Sequence, residues 1–599
     1  MKRRVEIDGL RAVAVLPVVL YHAGVKGIPG GFLGVDVFFV ISGYLITSII
    51  FREMASGSFS FARFYERRAR RILPAQYLVM LTCIPFAYFW MLPEDLENFG
   101  QSLVATVFFS NNVLLYLTSG YWVMEAEFKP LIHTWSLGVE EQYYFVVPVL
   151  MLLLMRLRRV GVVPALAVIA CVSFAYSFLL VGSNASFAFL MLLTRAWEMA
   201  AGALIAMCFP SKYVERHPIG SGLLAAVGLV AVISSYFVVN REMSHPAFVT
   251  LLPVLGSILV IGFASPDNLV GRLLSGRMVV LIGLTSYSSY LWHQPMFAFA
   301  RIVSLEEPRL WVMLALAALT FVIAYVSWKY FEGPFRDQIK VRLKTFIPVF
   351  AVVSLVLAGV GAHWHLVAGY SQSVPEIALD ADQPQMTYKQ YNDSVTRFRL
   401  AEFSSEHDYN VLIVGNSFAR DFVNAGLANN YFSNHNLVYQ PVIAAPSVHH
   451  IMLKEGVGSL LLDADFIIFA SGYDHRRAID TLNTIKLISK VSSAKSIVLG
   501  NKNFGWNNNA VMLMPEDERY SFRAKVSDAV LAHEAEAQEI IPPAIYVSWF
   551  DVLMDWENRV PVFTPTRKFI SQDRRHFTQH GAKYVGAMLF EHPLLEELK

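Results

Sequence analysis

Two sets of residues in this 599-residue chain have the types and spacing of working chemistry. Towards the C-terminus, VLIVGNSFARD sets Ser417 between an apolar run and a helical one, and DRRHFTQHGA sets Asp573 three residues before His576. A serine on a strand-to-helix turn presents its hydroxyl at a sheet edge, with a backbone N–H beside it for an oxyanion. A carboxylate three residues ahead of a histidine can hold the imidazole while the other ring nitrogen reaches a serine on a neighbouring loop. The bland alternative for Asp573 and His576 is a capped surface turn.

The second set lies near the N-terminus. DGLRAVAVLPVVLYHAG carries Asp8, Arg11 and His22 within one apolar stretch. Eleven residues is close to three helical turns, so Arg11 and His22 share a face about 16 Å apart along the axis. Ionisable groups inside a membrane span are costly and usually face a polar cavity. GVDVFFVISGYLI adds Asp36, which could orient the His22 imidazole and stabilise its protonated form. RRARRILP puts Arg67, Arg68 and Arg71 on one helical face. That cluster suits the phosphates of a nucleotide-bearing cofactor, or is a topology signal alone. HTWSLGVEEQYYFVVP gathers His133, Trp135, Ser136, Glu140, Glu141 and Gln142, a mixture fit for sugar recognition or for an interfacial belt. YSSYLWHQP, with Tyr290, Trp292, His293 and Pro295, reads equally as a site or as interfacial packing.

The elements that must carry these residues differ between the two ends. The chain is 55% hydrophobic and 16% charged, against about 25% charged in soluble domains, which marks a membrane protein. A net charge of +2 gives no reason to expect a nucleic-acid partner. Cys83, Cys171 and Cys208 all sit in apolar runs, so neither a disulfide framework nor a metal site is expected. Lys2-Arg3-Arg4 is followed by Asp8 and Arg11 without a small-residue cleavage site, which reads as a first transmembrane helix that stays attached. Apolar stretches long enough to span recur at 10–25, 32–51, 76–92, 141–156, 163–181, 187–208, 220–238, 247–264, 278–300, 308–330 and 346–365. Basic residues crowd the N-terminus, 52–71, the loop with Arg156, Arg158 and Arg159, and the loop ending Arg342 and Lys344. Placing all of these in the cytoplasm gives about eleven crossings and leaves the run at 100–117 short of a full crossing. The C-terminal part then lies outside the cytoplasm. It reads as α/β, with buried-strand runs at Val411–Val414, Phe466–Ala470 and Ser496–Leu499. The expected organisation is a membrane domain over 1–345, a final span and exit over 346–370, a linker or extension over 371–404, and an α/β domain over 405–599.

DGLRA, YHAG, GVDVFFVISGYLI, RRARRILP, HTWSLGVEEQYYF and YLWHQP, in that order over about 5–335, resemble acyltransferase family 3. The resemblance implies acyl transfer, usually of acetyl, from acyl-CoA to a carbohydrate or other hydroxyl. It implies a general base at His22 and functional or structural roles for Arg11, Asp36, Arg68, Arg71 and Glu140. It also implies that the CoA phosphates approach the arginines from the cytoplasm. GNS at Ser417 and D-x-x-H at Asp573 resemble the SGNH (GDSL-like) hydrolases, whose doubly wound α/β domain would make Ser417 the nucleophile, His576 the base and Asp573 its orienter. Two departures stand out: Asn416 where many relatives have Asp, and Tyr473 in SGYDH where the oxyanion asparagine would stand.

The combined expectation is an O-acetyltransferase of a bacterial inner membrane. Its donor would be acetyl-CoA, with no metal, and its partners an envelope glycan and the lipid bilayer. Lipopolysaccharide O-antigen is the first acceptor expected, with peptidoglycan or another exopolysaccharide as the alternative. A glycan exporter with a glycan-binding external domain would leave the ordered arginine and histidine motifs unexplained. An esterase on an inert anchor would make His22 dispensable.

Overall fold

The computed structural model describes residues 4–118, 125–156, 161–209, 217–380, 386, 388–404, 409–441 and 457–599. Arg158 and Arg159, which carry part of the topology expectation, lie outside them. The chain divides into two compact units. Met1–Phe89, Glu97–Arg301 and Pro308–Leu366 form the first, and Trp90–Leu96, Ile302–Glu307 and Val367–Lys599 form the second.

The first unit is helical, and helices account for most of each apolar stretch, that at 187–208 being broken at Met191. Among the described residues, eight helices are long and apolar enough to cross a membrane. Three others fall short of that standard for visible reasons. Val5–His22 carries Glu6, Asp8 and Arg11, Phe248–Phe263 has 16 residues, and Arg277–Ile302 is interrupted by the polar run 285–294. The run at 100–117 breaks into Pro93–Val107 and Asn111–Thr118, with Phe109 at φ 52° between them. The outward faces remain apolar: Val168, Val172 and Leu179 on the helix Val162–Val181 are each more than 60% exposed, as lipid-facing residues should be. Close helix packing rests on glycine. A Cβ at Gly43 would meet the Met199 carbonyl oxygen at 1.9 Å, and one at Gly202 would meet that of Val40 at 2.0 Å. These glycines let the helices Gly34–Ala55 and Leu192–Met207 approach closely.

The second unit is built on a parallel sheet. Strands β1 (Tyr409–Gly415), β2 (His435–Pro441), β3 (Phe466–Ala470) and β4 (Lys495–Leu499) are joined by β6 (Tyr546–Val547) in the order β2-β1-β3-β4-β6. Strands β5 (Arg523–Lys525) and β7 (Arg559–Pro561) form a separate antiparallel ribbon. Alternate strand residues supply two cores. Val411, Ile413 and Ile468 pack with Phe422, Val585 and Leu589 on one face, while Leu412, Ile467 and Phe469 pack with Ala478, Ile485 and Ala537 on the other. Helices therefore cover both faces. The order in which strands are added reverses between β1 and β3, which run parallel, and open α/β sheets bind ligands at the strand ends of such a crevice.

The stretch 371–404, expected as a linker or extension, is packed into this unit where it is described. Val395 is fully buried in the sheet's core, Glu376 accepts from Arg519 and Tyr520, and Gln440 donates to the Leu400 carbonyl. A polar, weakly periodic segment looked unpartnered because its partners are distant in sequence.

Candidate functional site

In the second unit, β1 ends at Gly415, where φ is 155° and an added Cβ would meet the Ala470 carbonyl at 1.9 Å. Only glycine permits that approach of β1 to β3. Asn416 then caps the helix Ser417–Ala428, its side-chain oxygen accepting from the Phe418 N–H at 2.9 Å. Asparagine thus performs the capping a carboxylate would at this position. Ser417 is the first helical residue, so its backbone N–H has no intrahelical acceptor.

Ser417, His576 and Asp573 converge on this turn. Ser417 Oγ lies 2.8 Å from His576 Nε2, and His576 Nδ1 donates to Asp573 Oδ2 at 2.5 Å. Asp573 Oδ1 accepts from the backbone N–H groups of Arg575 and His576 at 2.9 and 2.8 Å. Burial alone would raise the Asp573 carboxyl, but the His576 imidazole and these N–H groups outweigh it and hold the carboxyl well below the usual carboxylate range. A charged Asp573 fixes Nδ1 as the protonated nitrogen and leaves Nε2 to accept the Ser417 proton. Tyr473, at the expected oxyanion position, is buried, and its backbone N–H and carbonyl are both bonded to the side chain of Asn501.

Beneath the triad lies a pair that sequence reasoning missed. Lys502 and Asp421 are both fully buried and ion-paired, and Asp421 Oδ2 also accepts from the Phe577 N–H at 3.3 Å. The Lys502 ammonium sits 4.2 Å from the Phe577 ring centroid and 4.8 Å from that of Phe418. These are the residues next to His576 and Ser417, so the pair fastens both triad segments together. Burial lowers the Lys502 ammonium below its ordinary value, and Asp421 opposes that shift. The available signal was a lysine just beyond the C-terminal end of a buried strand.

In the first unit, two adjoining cavities of about 340 and 390 Å³ share Arg11, Leu45, Arg67, Arg71 and Tyr287 in their linings. Four cavity arginines are already matched: Arg67 with Glu53, Arg68 with Glu141, Arg70 with Glu66 and Arg336 with Glu332. Arg11 and Arg71 line both cavities and form no ion pair within 4.0 Å among the described residues. Two guanidinium groups without an ion pair, lining a common space, have the chemistry to receive an anion. Arg68 lines the more apolar of the two cavities, but its guanidinium is held by Glu141 at 3.0 Å and lies 3.6 Å from the Tyr144 ring centroid. Glu140 also lines the first cavity and accepts from Ser42 at 2.8 Å.

His22 stands outside both linings, at the end of the helix that carries Arg11. Its Nδ1 donates to the Val18 carbonyl at 2.9 Å; a carbonyl only accepts, so the lone pair is on Nε2. The expectation that Asp36 orients this ring is corrected here. Asp36 Oδ1 accepts from Arg195 at 3.0 Å and His245 at 3.2 Å, and Arg195 also pairs with Glu198 at 3.1 Å, in a cluster that excludes water. The signal for Arg195 and Glu198 was two ionisable residues in an apolar helix, TRAWEMAAGALIA. Trp135 packs against Phe39 and Phe189, and Gln142 donates to the Phe109 carbonyl and Asn112, bracing the break at 108–110. Neither Trp135 nor Gln142 lines either cavity.

Comparison with known proteins bears on the first unit. Residues 4–329 match the family model described as an acyltransferase domain, that of acyltransferase family 3. The chain is 28% identical over 349 residues to peptidoglycan O-acetyltransferase OatA of Listeria monocytogenes, covering 55% of this chain and 56% of that one. It is 30% identical over 351 residues to YrhL of Bacillus subtilis, provisionally named a peptidoglycan O-acetyltransferase, covering 55% of each. A Staphylococcus aureus protein provisionally named an O-acetyltransferase is 28% identical over 370 residues, covering 59% of this chain and 61% of its own. The match thus spans a little over half the length of these relatives. No solved structure matches.

Proposed function

The chain belongs to acyltransferase family 3 and is a multi-pass membrane acyltransferase; we propose that it O-acetylates an envelope glycan, peptidoglycan in the first instance, with acyl-CoA as donor. Peptidoglycan takes precedence over O-antigen because two relatives carry it in their names. The membrane is the bacterial cytoplasmic membrane, crossed about eleven times, with the N-terminus inside and the α/β unit outside.

In this reading Arg11 and Arg71 hold the donor's phosphates, and Arg68, fixed by Glu141, lines the way in. His22 takes a proton at Nε2 from the hydroxyl that attacks the thioester carbonyl; the C–S bond breaks and the thiolate leaves. Outside the membrane, His576 takes the Ser417 proton as Oγ attacks the acyl ester made at the first site, and returns it to the alcohol that departs as the ester C–O bond breaks; a glycan hydroxyl, deprotonated by His576, then attacks the acyl-serine, and the proton goes back to Oγ. The Ser417 N–H at the helix start supports the oxyanion. Asp573, held ionised, stabilises the imidazolium. The α/β unit is then an SGNH-like transferase domain.

The observation that carries the two-site reading is the Ser417–His576–Asp573 chain of hydrogen bonds in a protein whose other unit is an acyltransferase domain. The test is mass spectrometry of base-labile acetate on purified peptidoglycan and polysaccharide from cells making wild type, His22→Ala or Ser417→Ala at matched abundance. Acetate is expected on peptidoglycan and absent in both variants. Full acetate in Ser417→Ala would confine the chemistry to the membrane unit, and acetate on another polymer would move the acceptor.

A further inference from the structure

The His22 ring does not stand alone. Its centroid is 5.2 Å from that of His293, which is 5.4 Å from that of His133. His293 is fully buried and His133 is 4% exposed. Three imidazoles this close in an apolar helix bundle need an explanation, because each is a polar group whose removal from water is uncompensated unless it bonds.

His293 has the same polarity as His22. Its Nδ1 lies 2.6 Å from the Tyr290 carbonyl oxygen, three residues earlier on its own helix. The carbonyl can only accept, so Nδ1 carries the hydrogen and Nε2 the lone pair. That Nε2 is buried and has no hydrogen-bond partner among the described residues. Two neighbouring histidines, each committing its Nδ1–H to its own helix, therefore both keep a basic Nε2. A packing role needs no such arrangement; phenylalanine or leucine would fill the space without an unsatisfied nitrogen.

Among the described residues, no carboxylate is bonded to either ring. The groups about the two rings are Tyr21 beside His22, Arg301 donating to the His22 carbonyl at 2.6 Å, and His133 and Tyr290 against His293. Glu127 is occupied with Arg241 and Arg301. Tyr290 bonds to the His133 carbonyl and Ser136, and also lines the first cavity, so the histidine cluster borders the space that Arg11 and Arg71 face.

We propose that His293 is the proton partner of His22, receiving at Nε2 the proton that His22 takes from the acceptor hydroxyl. The inference rests on the reading of His22 as the base. As the oxygen–acyl bond forms and the C–S bond breaks, the proton moves from the hydroxyl to His22 and on to His293. The pair holds it until the departing thiolate takes it back through His22. Thioester and alcohol thereby give ester and thiol, and both imidazoles return neutral. His293 touches neither substrate and is a positioning and proton-holding residue.

The test uses isolated envelopes from cells making the full chain, which supply their own acceptor, with radiolabelled acetyl-CoA and base-labile label as readout. His293→Gln keeps a side chain that can hydrogen-bond but cannot hold a proton. Expected is a loss of about 10- to 100-fold in kcat with little change in KM for acetyl-CoA. The acid limb of the pH–rate profile should move to lower pH, because a shared proton raises the basicity of the wild-type pair. Abundance and melting temperature in detergent are measured alongside, and both should match wild type in His293→Gln. Wild-type rate and an unmoved acid limb in His293→Gln, or a rate loss that only tracks a fall in abundance, would overturn the inference and leave His22 standing. Activity in His22→Ala, or no base-labile label with wild type, would overturn the reading beneath it as well.

Discussion

Each unit holds a histidine in the same tautomer, but by different means. His576 gives its Nδ1–H to the Asp573 carboxylate at 2.5 Å; His22 gives its own to the Val18 backbone carbonyl at 2.9 Å. Both leave Nε2 as the base. A carboxylate also stabilises the imidazolium once the proton arrives, whereas a carbonyl supplies only a partial charge. The nearly buried Asp573 carboxylate is offset by the imidazole and two backbone N–H groups, while one in a membrane bundle is tolerated only when tightly matched. Asp36 shows the second case, held by Arg195 and His245 rather than by the base. On the reading proposed above, His22 disposes of its proton by another route than a neighbouring anion.

The comparison can be broken most sharply at the carboxylates. Asp573→Asn should reduce glycan acetylation by about 10⁴-fold, since the wrong tautomer is then favoured, as measured by acetate release from purified glycan. Asp36→Asn should act through folding instead. It leaves Arg195 buried with one carboxylate fewer, and a loss of about 3–5 kcal/mol should appear as reduced abundance and a lower melting temperature in detergent. If Asp36→Asn were stable and specifically inactive, the carboxylate would belong to the chemistry after all.

The ion pair under the triad gives a second contrast of similar size. Lys502→Met alone strands Asp421 and should cost about 3–5 kcal/mol, whereas the double change Lys502→Met with Asp421→Leu should recover most of it, read by thermal unfolding. The arginines divide in the same manner. Arg11→Ala and Arg71→Ala should each raise KM for acyl-CoA about 10- to 100-fold, the loss of a charge-assisted contact, while leaving abundance unchanged. Arg68→Ala frees buried Glu141 and should lower abundance first.

The smallest effect is that of pH on the α/β unit. The Asp573 carboxyl titrates lower folded than unfolded, so its contribution is fully present above the unfolded value near 4 and is lost as pH falls through the folded value. Melting temperature should therefore hold steady from neutrality to about pH 5 and decline below it. Asp573→Asn should flatten that decline.

The sequence carried much of this site because its chemistry is local. Asp573 and His576 are three residues apart, Ser417 sits on a strand-to-helix turn, and the order of motifs from DGLRA to YLWHQP implied the acyltransferase half. What it could not show are pairings made by packing. Asp36 and Arg195 stand 159 residues apart, and only the contact of two glycine-faced helices joins them. Lys502 and Asp421 are 81 apart on different elements. Proximity in depth suggested Asp36 for His22, but depth along a span says nothing of direction around the helix. The segment 371–404 shows the same limit: its sequence left linker and extension open, and Val395 with Tyr391 and Phe398 packs on a core whose other members are distant in sequence.

The claim at the centre is that an acyl group admitted by the membrane unit comes to rest on Ser417. The direct measurement is intact-protein and peptide mass spectrometry of the full-length chain, in membranes stripped of glycan and supplied with acetyl-CoA. An acetyl adduct on the peptide containing Ser417 is predicted in wild type, absent in His22→Ala and in His576→Ala, and removed when glycan is restored. An adduct that forms equally in His22→Ala, or glycan acetylation that proceeds in Ser417→Ala, would contradict the account.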